Sequence, residues 1–153
     1  MTSQLEHTVA LVTGSSSGIG AATARRLAAE GAAVALVARR RDRLDGLAEA
    51  IRADGGTALV VQADVTSQQQ AAGAVEQAVA GLGRLDIVVN NAGIMLLGPA
   101  LDAPIDEWDQ MVALNVQGML YLTHAALRIW STPPGTRPAR WRIWSRSAPP
   151  AVG

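Results

Sequence analysis

The stretch LVTGSSSGIGAATA, Leu11 to Ala24, places three glycines and three serines directly behind an apolar run. Residues this small leave the main chain open to close approach, because glycine lacks a Cβ and accepts dihedrals that other residues avoid. If the apolar run is a strand and the alanine-rich stretch a helix, unpaired backbone N–H groups and the positive helix end converge at Gly14, Gly18 and Gly20. A pyrophosphate is the group that suits such a spot. Arg39 and Arg40 stand about twenty residues beyond this turn, where a reader of a ribose 2′-hydroxyl would be Asp or Glu. A guanidinium fork suits a 2′-phosphate instead, so the expectation is NADP(H) over NAD(H). The competing reading makes Arg39, Arg40, Arg41 and Arg43 a solvated charge run at the start of a helix.

Two further groups carry polar chemistry. Asn90-Asn91-Ala92-Gly93 follows another apolar run and taken alone reads as an ordinary polar loop. Asn115 falls on a stripe with Trp108, Met111, Val112, Met119 and Leu122, where an amide costs stability unless it is hydrogen-bonded. No metal site is expected: there is no cysteine, hence neither a disulfide framework nor a thiolate cluster. His7, His124 and Tyr121 are read as packing or surface residues.

The elements that must position these groups alternate in period. His7–Thr13, Ala33–Ala38, Thr57–Ala63 and Leu85–Val89 are short and apolar with little polar alternation, as in strands covered on both faces. Between them Leu44, Leu47, Ala48 and Ile51 recur at helical spacing, as do Ala72, Val75, Val79 and Leu82. Ser67 and Gln70 read as a capping box for the second of these helices. A longer helix is expected from about Ile105 to about Leu127. Strands alternating with helices imply an α/β fold with a doubly wound parallel sheet, ordered 3-2-1-4.

Thr13-Gly14-x-x-x-Gly18-Ile19-Gly20 and Asn90-Asn91-Ala92-Gly93, at the ends of the first and fourth strands, together resemble the short-chain dehydrogenase/reductase family. The resemblance covers residues 7 to about 127 and implies the N-terminal part of a Rossmann-type fold. It implies that Gly14, Gly18, Ile19 and Gly20 wrap the cofactor diphosphate, with Ser15 and Ser17 nearby. Asp64 and Val65 would hold the adenine, and Asn91, Ala92 and Gly93 would line the ribose and nicotinamide side. Asn115 matches the asparagine that holds a proton-relaying water in the family. A separate reading has Asp64 helping only to start the next helix. The implied chemistry is hydride transfer between a nicotinamide and a small alcohol or carbonyl compound.

The chain departs from that family in one respect: the signature Tyr-x-x-x-Lys is absent, since Tyr121 is the only tyrosine and there is no lysine. The catalytic serine is missing too, and inactivity of the chain as written is the expectation. Residues 1–127 carry all thirteen acids and eight of the thirteen arginines, whereas residues 128–153 carry five arginines and no acid. That final stretch also holds five of the seven prolines and three of the four tryptophans, without sustained period. The expected division is therefore a partial cofactor-binding domain, 1–127, and an irregular tail, 128–153. Losing one nucleotide from a plausible Leu-Pro-His-Leu-Val coding stretch after Ala126 yields Leu127-Arg128-Ile129-Trp130. The same shift read through 141–149 permits a stretch resembling the family's serine-bearing strand, which argues for a frameshift near Leu127. The alternative is a non-catalytic dinucleotide-binding module with a basic interaction tail. The beginning of the chain lacks a signal-peptide pattern, and a cytoplasmic protein without nucleic-acid or membrane partners is expected. The intact form is expected to be a homo-oligomer.

Overall fold

A computed structural model describes residues 4–132. Four strands, β1 (Val9–Thr13), β2 (Ala33–Ala38), β3 (Thr57–Gln62) and β4 (Ile87–Val89), form one parallel sheet in the order β3-β2-β1-β4. Helices α1 (Gly18–Ala29), α2 (Arg41–Ala53) and α3 (Gln68–Leu82) make the crossovers. After β4 come α4 (Ile105–Val112), a π-helical turn (Ala113–Gly118) and α5 (Met119–Trp130). The expected doubly wound order is the one observed.

Strand alternation divides the core in two. Val9, Leu11, Ala35, Val37 and Val61 face α3 and α5, while Ala10, Val12, Val34 and Leu36 face α1 and α2. The α1 face is built from small residues: Gly20, Ala24 and Ala28 recur every fourth position and are buried, so this helix lies close to the sheet. Helix α2 buries Leu44, Leu47, Ala48 and Ile51, the residues its period singled out.

Asp86 sets the start of β4. Its Oδ2 accepts from Val9 N at 2.8 Å, its own N–H donates to Val9 O at 2.9 Å, and Arg84 holds the carboxylate from the side. The first strand begins two residues later than its apolar run suggests, because His7 takes a left-handed φ of 66° that ends any extended pairing there.

Two expectations are corrected. Helix α5 does not stop at Leu127 but runs through Arg128, Ile129 and Trp130. Ile129 packs against the α3 side of the core, and the Trp130 indole donates to Leu85 O at 2.8 Å. Tertiary contacts thus carry the helix three residues into the stretch read as irregular; residues 133–153 lie outside the described residues. The single apolar stripe expected along the long helix is also broken. Leu122 is fully buried, but Trp108, Val112 and Met119 are 41–50% exposed, since the π turn rotates the helix and so shifts its faces.

Candidate functional site

The order in which strands are added reverses between β1 and β4, and in open α/β sheets ligands bind outside the carboxyl ends of the strands at such a point. A cleft of about 250 Å³ lies here. Gly14, Ser16, Ser17, Arg39, Arg40, Asp64, Val65, Ala92 and Gly93 line it, with Val37, Ala38, Ala63, Ile94 and Leu114.

The glycine turn is locked to the end of β4. Thr13 Oγ1 donates to Val89 O at 3.2 Å and accepts from the N–H groups of Asn91 and Ala92, each at 3.0 Å. Asn91 Nδ2 returns a bond to Thr13 O at 3.0 Å and approaches Gly14 O at 3.4 Å. The approach leaves no room for side chains: a Cβ on Gly20 would stand 2.4 Å from Gly14 O and 2.5 Å from Asn91 Nδ2. On Gly14, which has φ +65°, it would stand 2.9 Å from Ala92 Cα. Asn91 therefore acts through the backbone of the turn and is not among the cleft-lining residues.

Helix α1 opens at Gly18 with no side chain capping it; the Ser17 hydroxyl instead accepts from Arg40 Nη2 at 3.0 Å. Its first-turn N–H groups and the positive helix end are left for an anion. Gly18, Ile19 and Gly20 form that turn, and the Ile19 side chain is 79% exposed. Ser15 is turned away: it is fully buried, with its Oγ 3.4 Å from Val37 O. Ser16, given no role by the sequence, takes its place in the cleft and accepts from Arg40 Nη2 at 3.0 Å.

The four arginines at the β2–α2 junction separate into two pairs. Arg41 and Arg43 sit beside Asp45 and Asp42 on α2, at 3.6 and 3.9 Å. Arg39 and Arg40 line the cleft, and the Arg39 guanidinium makes no ion pair or hydrogen bond among the described residues. The Arg39 carbonyl is braced by Gln62 Nε2 at 2.9 Å.

At the third strand, Asp64 Oδ1 accepts from Thr66 N and Oγ1 at 3.0 and 2.8 Å, which starts the turn into α3. The capping box is completed differently from the expected form. Ser67 Oγ accepts from Gln70 N at 3.4 Å, but the Gln70 side chain reaches past Ser67 to Asp64 N, 2.9 Å. Buried Gly118 brings the long helix against Val65, where a Cβ would stand 3.0 Å from Val65 Cγ2.

Asn115 lies in the π turn and grips the backbone of Ile94 both ways. Its Oδ1 accepts from Ile94 N and its Nδ2 donates to Ile94 O, each at 2.8 Å. The amide on the apolar stripe is thereby satisfied, and the loop after Gly93 is held beside the cleft.

An uncapped helix end and two arginines around one cleft offer backbone donors and positive charge to an anionic group. A family model for short chain dehydrogenases matches residues 8–137, and the chain belongs to that family of oxidoreductases, which use a nicotinamide dinucleotide. The chain is 44% identical over 126 residues to a short chain dehydrogenase of Pseudocercospora fijiensis, a match covering 81% of this chain and 41% of that protein. It is 46% identical over 125 residues to an uncharacterized oxidoreductase of Methylorubrum extorquens, covering 81% and 50%. Among solved structures, a short-chain dehydrogenase/reductase of Serratia marcescens superposes with a TM-score of 0.78 at 43% identity, covering 82% of this chain and 51% of that one. One from Mycobacterium marinum gives 0.80 at 39%, covering 84% and 52%. The chain thus spans about half the length of these relatives or less.

Proposed function

We propose that the described residues form the cofactor-binding half of an NADP(H)-dependent short-chain dehydrogenase/reductase acting on a small alcohol or carbonyl compound. The observation that carries the cofactor choice is the Arg40 guanidinium resting on Ser16 and Ser17 at the rim of the cleft, 3.0 Å from each hydroxyl. With Arg39 beside it and no acid at the end of β2, the rim favours a 2′-phosphate over a bare ribose hydroxyl.

In this reading the first turn of α1 and the Gly14–Gly20 backbone hold the diphosphate, and Asp64 and Val65 hold the adenine. Ala92 and Gly93 face the ribose and nicotinamide side, with Asn91 and Thr13 fixing their position. Asn115 supports that side through Ile94. The bound dinucleotide supplies a hydride to, or takes one from, a carbon of the substrate. The carbonyl oxygen must gain a proton as hydride arrives, and a general acid contributes about a hundredfold or more. The 153 residues have one tyrosine and no lysine, so no Tyr-x-x-x-Lys pair serves that role.

That absence supports a second reading for the chain as given, a dinucleotide-binding module without chemistry, with a basic tail in residues 128–153. In the first reading the same tail is the product of a frameshift near Leu127, and the intact, cytoplasmic enzyme assembles as a homo-oligomer through the long helix. One paired experiment tests both. NADPH and NADH are titrated into the chain, and turnover is assayed with a panel of ketones and aldehydes. A version with one nucleotide restored after codon 127 is then assayed alike. Binding of NADPH without turnover, and turnover on restoration, is the expected result. Turnover by the short chain refutes the assignment of its chemistry to missing residues.

A further inference from the structure

We propose that Gln62 is a positioning residue for cofactor choice: it fixes the peptide between Arg39 and Arg40 and so keeps Arg39 on the rim of the cleft. This role rests on the reading of the cleft as an NADP(H) site. The two arginines that line it are anchored unequally. Arg40 is tied by its guanidinium to the hydroxyls of Ser16 and Ser17, 3.0 Å from each. The Arg39 guanidinium makes no hydrogen bond or ion pair among the described residues, so its direction is set from the backbone.

That backbone lies where strand pairing stops. Ala38 and Gln62 are the last partners of β2 and β3, and Ala63 N donates to Ala38 O at 3.0 Å. Arg40 is already the N-cap of α2, its carbonyl accepting from Leu44 N at 3.3 Å. The Arg39 carbonyl falls between the two elements, and the bond it accepts comes from a side chain: Gln62 Nε2 donates to it at 2.9 Å. An exposed carbonyl turned to water instead would lose little, since water replaces the bond. The bond therefore selects a direction more than it stabilises the fold. Turning that planar peptide changes ψ of Arg39 and φ of Arg40 together, the soft dihedrals on either side of it. With Arg40 pinned by the serines, the change falls on Arg39.

The test measures dissociation constants of NADPH and NADH by fluorescence titration for the full chain, Gln62→Met, Arg39→Ala and the double variant. Methionine keeps the length of glutamine and loses its donor, at a residue exposed on the end of a strand. A thermal melt confirms that each variant folds as the parent does, and Gln62→Ala, which removes the same donor, stands in if methionine disturbs the strand end. Gln62→Met should reduce the preference for NADPH by about three- to tenfold, the scale of one hydrogen bond, and leave NADH binding unchanged. In the Arg39→Ala background it should leave the ratio of the two constants unchanged, because both substitutions act on one interaction. A ratio that Gln62→Met leaves intact, or lowers equally with and without Arg39, overturns the proposal and leaves the cofactor reading standing. A preference that survives Arg39→Ala overturns it too, by assigning the phosphate to Arg40 alone. A parent chain that binds both cofactors alike, or neither, overturns the NADP(H) reading and this proposal with it.

Discussion

The guanidinium of Arg40 stands 3.0 Å from the hydroxyl of Ser17, across the gap between the end of β2 and the start of α1. The side chain that would meet a 2′-phosphate is therefore also attached to the turn that would hold the diphosphate. Arg40→Ala should weaken NADPH more than NADH, by about tenfold or more, since a hydrogen bond to a charged group contributes roughly 1.5–3 kcal/mol. Arg39→Asp should narrow or reverse the preference. Titrations of both cofactors into each variant decide it; equal losses for the two would assign the arginines to a solvated surface.

The packing between the glycine turn and Asn91 makes a sharper demand on stability. Gly20→Ala forces a methyl to within 2.4 Å of Gly14 O, and overpacking of this kind costs about 1–3 kcal/mol. Gly73→Ala, on α3 with open space where the methyl would go, should stabilise by about 0.5–1 kcal/mol through helix propensity. Urea unfolding of the two variants should move in opposite directions from the parent.

Asn115 and Ile94 exchange two hydrogen bonds of 2.8 Å between side chain and backbone. Asn115→Ala should destabilise by about 1–2 kcal/mol and expose the loop after Gly93. Limited proteolysis read by mass spectrometry should find new cuts between Ile94 and Leu97. Unchanged resistance there would show that the loop is held by other contacts.

Trp130 ties the end of α5 to the residue before Asp86 through its indole N–H, 2.8 Å from Leu85 O. Trp130→Phe keeps an aromatic ring and loses the donor, for an expected cost of about 1 kcal/mol. A melt that does not shift would make the contact incidental.

The order of the sheet was legible because its strands are buried on both faces and read as unbroken apolar runs; Ala33–Ala38 coincides with β2 to the residue. The glycine turn, the β2 arginines and the loop at Asn90–Gly93 were legible as well, each being tied to a strand end. Side-chain direction within them was not. Spacing does not reveal that Ser15 turns into the sheet while Ser16 faces Arg40, because both outcomes suit a small residue in a tight turn. Nor does a stripe at 3.6-residue spacing show where a helix changes pitch, and the stripe that joins Trp108 and Val112 to Leu122 breaks at the π turn. Ile129 continues the helical spacing of Leu122 and Ala126 and packs in the same core, so that much of the end of α5 was legible; the bond from Trp130 to Leu85, far away in the chain, was not.

The π turn at Ala113–Gly118 gives the long helix one place where its length can change. Its i→i+5 bonding accommodates more chain per turn than an α-helix, so loss of a single codon there would let the segment relax into regular α-helix. Six residues at the wider π pitch turn through about the same angle as five α-helical ones, so everything beyond would keep its orientation and Leu122 and Ala126 would stay against the core. A one-residue deletion that closes the π turn leaves the buried face of α5 unchanged, whereas an insertion or deletion within the α-helical part of α5 would rotate it by about 100°. Related genes one residue shorter within Ala113–Gly118 should therefore keep the same buried face of α5, and a change of length should be found here before it is found inside α5.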